Sequence, residues 1–296
     1  MITGQEYNTA VNALTLADSP YAPLFEGILP AVQTLYVQSH NLEDLLSRPR
    51  VAIVGSRKVT PYGKAVTQQF ARELAGQGIV IISGLAYGVD AIAHQAALDA
   101  GGLTIAVLPS SLQKIYPTTH TGLARRMVEQ GGALISEYPA GSDIAWKNQF
   151  VERNRIVSGM SDVLLITEAA VNSGTIHTAR FALDQGKDVL AVPGSIMSPT
   201  SAGTNNLIRT GAMPATGPDD VIRLLGLALP PASKPPKGSN PNEQLLLDLL
   251  ADNVTHGTDL MTRSALPISD FNQTLTMMEL TGKVRALGAN QWSLGS

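Results

Sequence analysis

The first regularity along the chain is a series of short apolar runs spread over residues 51–192. Val51–Val54, Ile79–Ile82, Leu103–Leu108, Ala133–Ile135, Val163–Thr167 and Val189–Val192 carry almost no polar residue. Runs of this length without alternation suit strands whose two faces are both buried. The segments between them repeat at helical intervals. In the first, Thr60 stands as an N-cap, Pro61 takes the first helical position, and Val66, Phe70 and Leu74 follow on one face before Gly76 and Gly78 end it. Strand and helix therefore alternate through residues 51–225, the pattern of an open parallel α/β sheet. Ligands of such sheets bind beyond the carboxyl ends of the strands, so the residues just after each apolar run are the candidate site.

The pattern changes on either side of this region. Residues 229–242 hold five prolines and no apolar period, as a semi-extended linker would. Residues 243–296 resume with helices expected over Glu243–Leu250, Asp259–Ser264 and Phe271–Leu280, then a hairpin pairing Val284–Leu287 with Gln291–Ser293. Residues 1–46 contain possible short helices, too few to bury a core of their own. The expected organisation is an N-terminal extension (1–46), a main domain (47–228), the linker (229–242) and a small terminal domain (243–296).

Composition narrows the chemistry. The chain of 296 residues has no cysteine, which excludes disulfides and thiolate metal sites. It opens without a basic, apolar leader and has no apolar run of membrane-spanning length, so a cytoplasmic protein off the membrane is expected. The net charge of -3 hides a split: +5 over residues 47–242, between flanks of -5 and -3. A basic middle suggests an anionic partner.

Four segments could meet one. Gly55-Ser56-Arg57-Lys58 follows the first strand, with a glycine for close approach and an arginine able to fork onto phosphate; a plain turn with a solvated arginine is the other reading. Neither a dinucleotide fingerprint nor a Walker loop is present. In the Gly84–Gly88 loop and the helix after it, Asp90 and His94 read as structural. Trp146 to Arg155 concentrates Lys147, Arg153 and Arg155 with Trp146 and Phe150, either a phosphate-and-base contact or an amphipathic helix. Phe150 is the expected stacking platform, in a loop-like stretch. Ser173-Gly174-Thr175 opens a helix, either as an anion site or with Ser173 as an ordinary N-cap. No paired carboxylates, HExxH or nucleophile elbow accompany them.

Taken together, the motifs resemble the DprA (Smf) family of DNA-processing proteins. The resemblance rests on VAIVGSR (51–57), SGLAYGVDAIAH (83–94), TIAVLPSSLQKIYP (104–117), LISEYP (134–139), ERNRIVSGMS (152–161), EAAVNSGTIHTARFAL (168–183), AVPG (191–194) and GTNNLIRTGA (203–212), in order and in register. It implies an extended Rossmann-like parallel sheet that binds single-stranded DNA, forms a homodimer and loads the RecA recombinase onto incoming strands during natural transformation, with no nucleotide cofactor and no catalysis. It implies a DNA pocket of the Gly55-Ser56-Arg57 loop with Lys147, Arg153 and Arg155, with Ser173, Gly174 and Thr175 alongside, and a two-fold contact using the apolar residues of 189–226. The last 54 residues then match the winged-helix module of many members. One departure stands out: Tyr87 replaces the arginine usual in that loop. The alternatives are a nucleotide-cleaving phosphoribohydrolase with a related core, whose Pro-Gly-Gly-x-Gly-Thr-x-x-Glu loop is not matched here, and a regulator acting through the winged helix.

Overall fold

The computed structural model describes residues 10–17, 19–142, 148–229, 236–288 and 290–295. They form two compact units, Met1–Leu229 and Pro230–Ser296. The first contains, in chain order, β1 (Val11–Thr15), β2 (Thr34–Ser39), α1 (Leu42–Ser47), β3 (Arg50–Val54), α2 (Pro61–Gly76), β4 (Val80–Ser83), α3 (Val89–Asp99), β5 (Thr104–Leu108), α4 (Thr121–Glu129), β6 (Ala133–Ser136), α5 (Asn148–Gly159), β7 (Val163–Ile166), α6 (Thr175–Asp184), β8 (Asp188–Ala191), α7 (Ala202–Arg209), β9 (Met213–Pro214) and α8 (Pro218–Leu224).

The nine strands make one sheet in the order β1-β2-β6-β5-β4-β3-β7-β8-β9. All pairs from β6 to β9 are parallel, whereas β1 pairs antiparallel with β2, and β2 with β6. From β5 to β9 the order is that of a doubly wound Rossmann sheet, extended by β6, β2 and β1. The parallel part starts in the middle at β3, winds outward through β4, β5 and β6, and returns to β7 on the other side of β3. The crevice at that reversal lies between the loops that follow β3 and β7, where this topology places ligands.

Successive residues of β3 point to opposite faces, and both are covered. Ala52 and Val54 join Ile82, Val107, Ile156 and Met160 in one core layer. Val51 and Ile53 join Phe70, Leu74, Ala97 and Val163 in the other. The Thr60 hydroxyl accepts a hydrogen bond from the Gly63 amide at 3.1 Å, the expected cap of α2.

Two features depart from expectation. The segment before residue 47 supplies two sheet strands besides α1, because Leu35 and Val37 alternate inward and bury against the main core. Most of the large apolar side chains of 189–226, where a two-fold contact is expected, pack on their own domain. Val221 and Ile222 are buried, Leu207, Ile208, Leu224 and Leu225 half-buried, and Met213 exposed on β9 at the sheet edge.

The second unit holds α9 (Pro241–Ala251), α10 (Gly257–Ser264), α11 (Ile268–Leu280), β10 (Val284–Gly288) and β11 (Gln291–Leu294), three helices and a hairpin as a winged helix requires. Leu246, Leu250, Leu260, Phe271, Leu275, Met278 and Val284 form its core. The first helix starts at Pro241 inside the expected linker, because Asn240 caps it by accepting from the Glu243 amide at 2.9 Å.

Candidate functional site

The loop after β3 is held from both sides. The Ser56 amide donates to the Glu168 carbonyl at 2.8 Å, and the Val89 amide donates to the Ser56 carbonyl at 3.1 Å. A Cβ on Gly55 would collide with Val89 and the Glu168 carbonyl, and one on Gly88, at φ 78°, with the Ser56 carbonyl. Glycine is thus required where the loops after β3, β4 and β7 converge. The Ser56 hydroxyl is turned back on its own loop, donating to the Lys58 carbonyl at 2.9 Å and accepting from the Lys58 amide at 3.1 Å. Lys58 is exposed.

Arg57 leaves this loop exposed, with no carboxylate partner among the described residues. Its guanidinium carbon lies over the Phe150 ring, 5.2 Å from the centroid. Phe150 also meets Tyr116 edge to face at 5.3 Å, with the ring planes 69° apart. Phe150 therefore sits half-buried in the first turn of α5, not in a loop, beneath a cation and a second ring. Tyr116 is 41% exposed and was not legible as a site residue. Its only signal was an aromatic at the end of the loop following β5, on the same rim. Tyr87 is also half-exposed, packs edge-on against His120 at 5.0 Å and accepts a hydrogen bond from Thr119. Lys147 and Trp146 lie outside the described residues.

Arg153 and Arg155 do not reach this surface. Arg153 is buried and donates through Nη1 to the carbonyls of Gly84 and Val107. The Gly84 amide donates to Asp90 at 3.2 Å, so Gly84 meets the arginine through its carbonyl and the carboxylate through its amide. Burial pulls the Arg153 pKa down to about 10 against the attraction of Asp90, and pushes that of Asp90 up against the attraction of Arg153. Arg155 is also buried, and its Nη2 alone donates to both oxygens of Glu137 at 2.6 and 2.7 Å. On the other wall, the Ser173 hydroxyl donates to Thr175 Oγ1 at 2.9 Å. Gly174 is open to solvent at the start of α6, and Thr175 is buried. Glu168, fully enclosed, accepts from the Thr60 amide at 2.9 Å and its hydroxyl at 2.6 Å, which fixes the start of α2.

His94 is a buried core residue. Its Nδ1 faces Thr104 Oγ1 at 2.6 Å, and that hydroxyl donates onward to the Ile81 carbonyl at 2.6 Å, so Nδ1 carries the proton. Burial, with Arg153 and His120 nearby, lowers its pKa from 6.5 to about 3. The unfolded chain then takes up a proton that the folded chain refuses, and stability falls as pH drops from 6.5 towards 3. We expect up to about 1.4 kcal/mol lost per pH unit in that window. Urea midpoints measured between about pH 7 and pH 5 should show this slope, and His94→Gln should flatten it.

The comparisons agree with this construction. Residues 12–226 match the family model for DNA recombination-mediator protein A, and residues 230–290 that for the DprA winged helix domain. The chain is 37% identical to Protein Smf of Escherichia coli over 283 residues, covering 93% of this chain and 72% of that one. It is 41% identical to a putative DNA processing protein DprA of Mycobacterium tuberculosis, over 60% of this chain and 46% of the relative's length. Among solved structures, DprA of Streptococcus pneumoniae superposes with a TM-score of 0.67 at 36% identity, covering 72% of this chain and 74% of the other. DNA processing protein A of Helicobacter pylori, studied for its single-stranded DNA binding mode, gives 0.65 at 34% identity over 75% and 98%. With the Rossmann order, the glycine-lined crevice and the terminal winged helix all accounted for, this chain belongs to the DNA recombination-mediator protein A (DprA) family.

Proposed function

We propose that this protein binds single-stranded DNA at the Arg57 rim and acts as a recombination mediator, loading RecA onto incoming strands during natural transformation. Arg57 carries the reading: an exposed guanidinium, free of carboxylates among the described residues, lies over the Phe150 ring, itself in contact with Tyr116, at the carboxyl edge of the sheet. A cation beside stacking rings answers the phosphates and bases of a single strand. The Helicobacter pylori relative, with its single-stranded DNA binding mode, supports it. The protein works in the cytoplasm as a homodimer, which sets two pockets along one strand and raises avidity. No helix among the described residues is long and apolar enough to cross a membrane.

The protein performs this role as a binder, without catalysis or a nucleotide cofactor. The segment Asn172-Ser173-Gly174-Thr175 lacks the glycine pair of the phosphoribohydrolase loop and continues as Ile176-His177-Thr178, without its glutamate, which argues against the enzymatic alternative. Incubation with nucleoside monophosphates should release no free base.

Titration with labelled oligonucleotides tests the main reading, with single strands expected to bind at least about tenfold tighter than duplex. Equal affinity would overturn it. The winged-helix unit should add little. Residues 243–296 carry six acids against three bases, and α11 has Asp270 and Glu279 but no Lys or Arg. Its Lys283 is paired with Glu243 at 2.5 Å. Truncation after Ala228 is therefore expected to leave single-strand affinity within about threefold, under about 1 kcal/mol. A tenfold loss in a folded truncated protein would show that the tail contacts DNA.

A further inference from the structure

The loop joining β8 to α7 presents an apolar tip to solvent. Ile196 is 91% exposed and Met197 85%, more than any other large apolar side chain among the described residues. Exposure of this kind in a floppy loop would mean little, but this loop is pinned. Its base is closed by two hydrogen bonds between Gly194 and the Asn205 side chain, at 3.1 and 3.0 Å. Within it the Met197 amide donates to the Ser195 hydroxyl at 3.2 Å, and the Ser198 amide donates to the Ser195 carbonyl at 3.0 Å. The Gly203 amide donates to the Ala169 carbonyl at 2.8 Å, tying the far end of the loop to the segment after β7. The tip is held out by construction.

Its place in the sheet says what it meets. Neighbouring strands lie about 4.8 Å apart, so the loop after β8 sits roughly 10 Å along the rim from the loop after β3 that carries Arg57. The sheet order places it between that pocket and the β9 edge. A single strand leaving Arg57 towards that edge must cross it. Residues 193–205 contain no charged side chain, so the tip offers phosphate no cation, and the side chains of Ile196 and Met197 offer it no donor. The apolar surface of a single strand is the faces of its bases.

Resting on the single-strand reading above, we propose that Ile196 and Met197 form a second base contact, an apolar ledge against which unpaired bases pack as the strand runs from the Arg57 pocket towards the β9 edge. The ledge would contribute to base-bearing strands that extend beyond the pocket, and not to the phosphate backbone as such.

The test is the double variant Ile196→Ser, Met197→Ser in the full chain, titrated with oligothymidylate of about 16 residues and with an abasic strand of equal length. Both substitutions are at solvent-facing positions and should leave folding intact, which a thermal melt verifies. The expected result is a loss of at least about fivefold on the base-bearing strand, corresponding to the lower end of base-stacking contributions. Affinity for the abasic strand and the slope of affinity against salt should not change. Unchanged affinity for oligothymidylate would overturn the ledge, as would an equal loss on both strands. So would a drop in sedimenting mass, which would make the tip a contact between copies of the chain. Arg57→Ala run in parallel separates the two claims. If it loses binding while the double variant does not, the pocket stands and the ledge fails. If the wild-type protein binds neither strand, the function itself fails and the ledge with it.

Discussion

Replacing Arg153 by alanine is expected to cost about 3–5 kcal/mol of folding stability, because two buried carbonyls lose their donor and the buried Asp90 loses the cation that attracts it. The side chain is enclosed, donates to the carbonyls of Gly84 and Val107, and faces the buried Asp90 carboxylate, itself bound by the amides of Gly84 and Ala86. Removing the guanidinium strands two carbonyls and leaves Asp90 buried with no cation beside it, where burial already raises its pKa. The double variant Arg153→Met, Asp90→Asn should recover part of the loss, because no uncompensated charge remains. Gly84 belongs to the same unit, since a Cβ there would overlap the guanidinium. The check is chemical denaturation of the three proteins, together with the salt dependence of DNA binding under conditions where the single variant is still folded. A phosphate ligand would lose salt slope and keep its stability; the structure leads us to expect the reverse. Any loss of affinity should come indirectly, through the Gly84–Gly88 loop that backs the Arg57 turn.

Arg153 also shows where sequence reading stops. An Arg-x-Arg pair on a polar stretch reads as a solvated basic face, and only the long-range fold reveals otherwise. Gly84, Val107 and Glu137 come from the ends of three different strands and close over the pair. The parallel strands were legible because burial on both faces leaves an unbroken apolar run, as in Val51–Val54 and Val163–Ile166. Their neighbour β2 was not. Its partner β6 lies far along the chain, and its alternation of Leu35 and Val37 is too short to stand out from a helix pattern. The glycine requirement at Gly55 and the exposed Arg57 followed from position alone, because residues after a strand in this topology face the ligand crevice. Tyr116 could not be found that way, since its contact with Phe150 depends on how the loop after β5 folds back over α5.

The largest effect on binding is expected at the Arg57–Phe150–Tyr116 cluster. Arg57→Ala should weaken single-strand binding by about tenfold or more at low salt. It should also reduce the slope of log affinity against log salt by about 0.7, the value for one lost phosphate contact on a single strand. Arg57→Lys keeps a charge but not a planar fork, so it should hold most of the slope while losing affinity. Phe150→Ala should cost about 1–3 kcal/mol of binding and leave the slope nearly intact. The two substitutions should not add. Arg57 rests on the Phe150 ring, so removing the ring also releases the guanidinium, and the double variant should lose less than the two single losses combined. Tyr116→Ala probes the same ring from its other contact and should resemble a weaker Phe150→Ala. Strict additivity of Arg57→Ala and Phe150→Ala would mean that the stack is not used in the complex. Wild-type affinity in Arg57→Ala across the whole salt series would remove this rim as the DNA site.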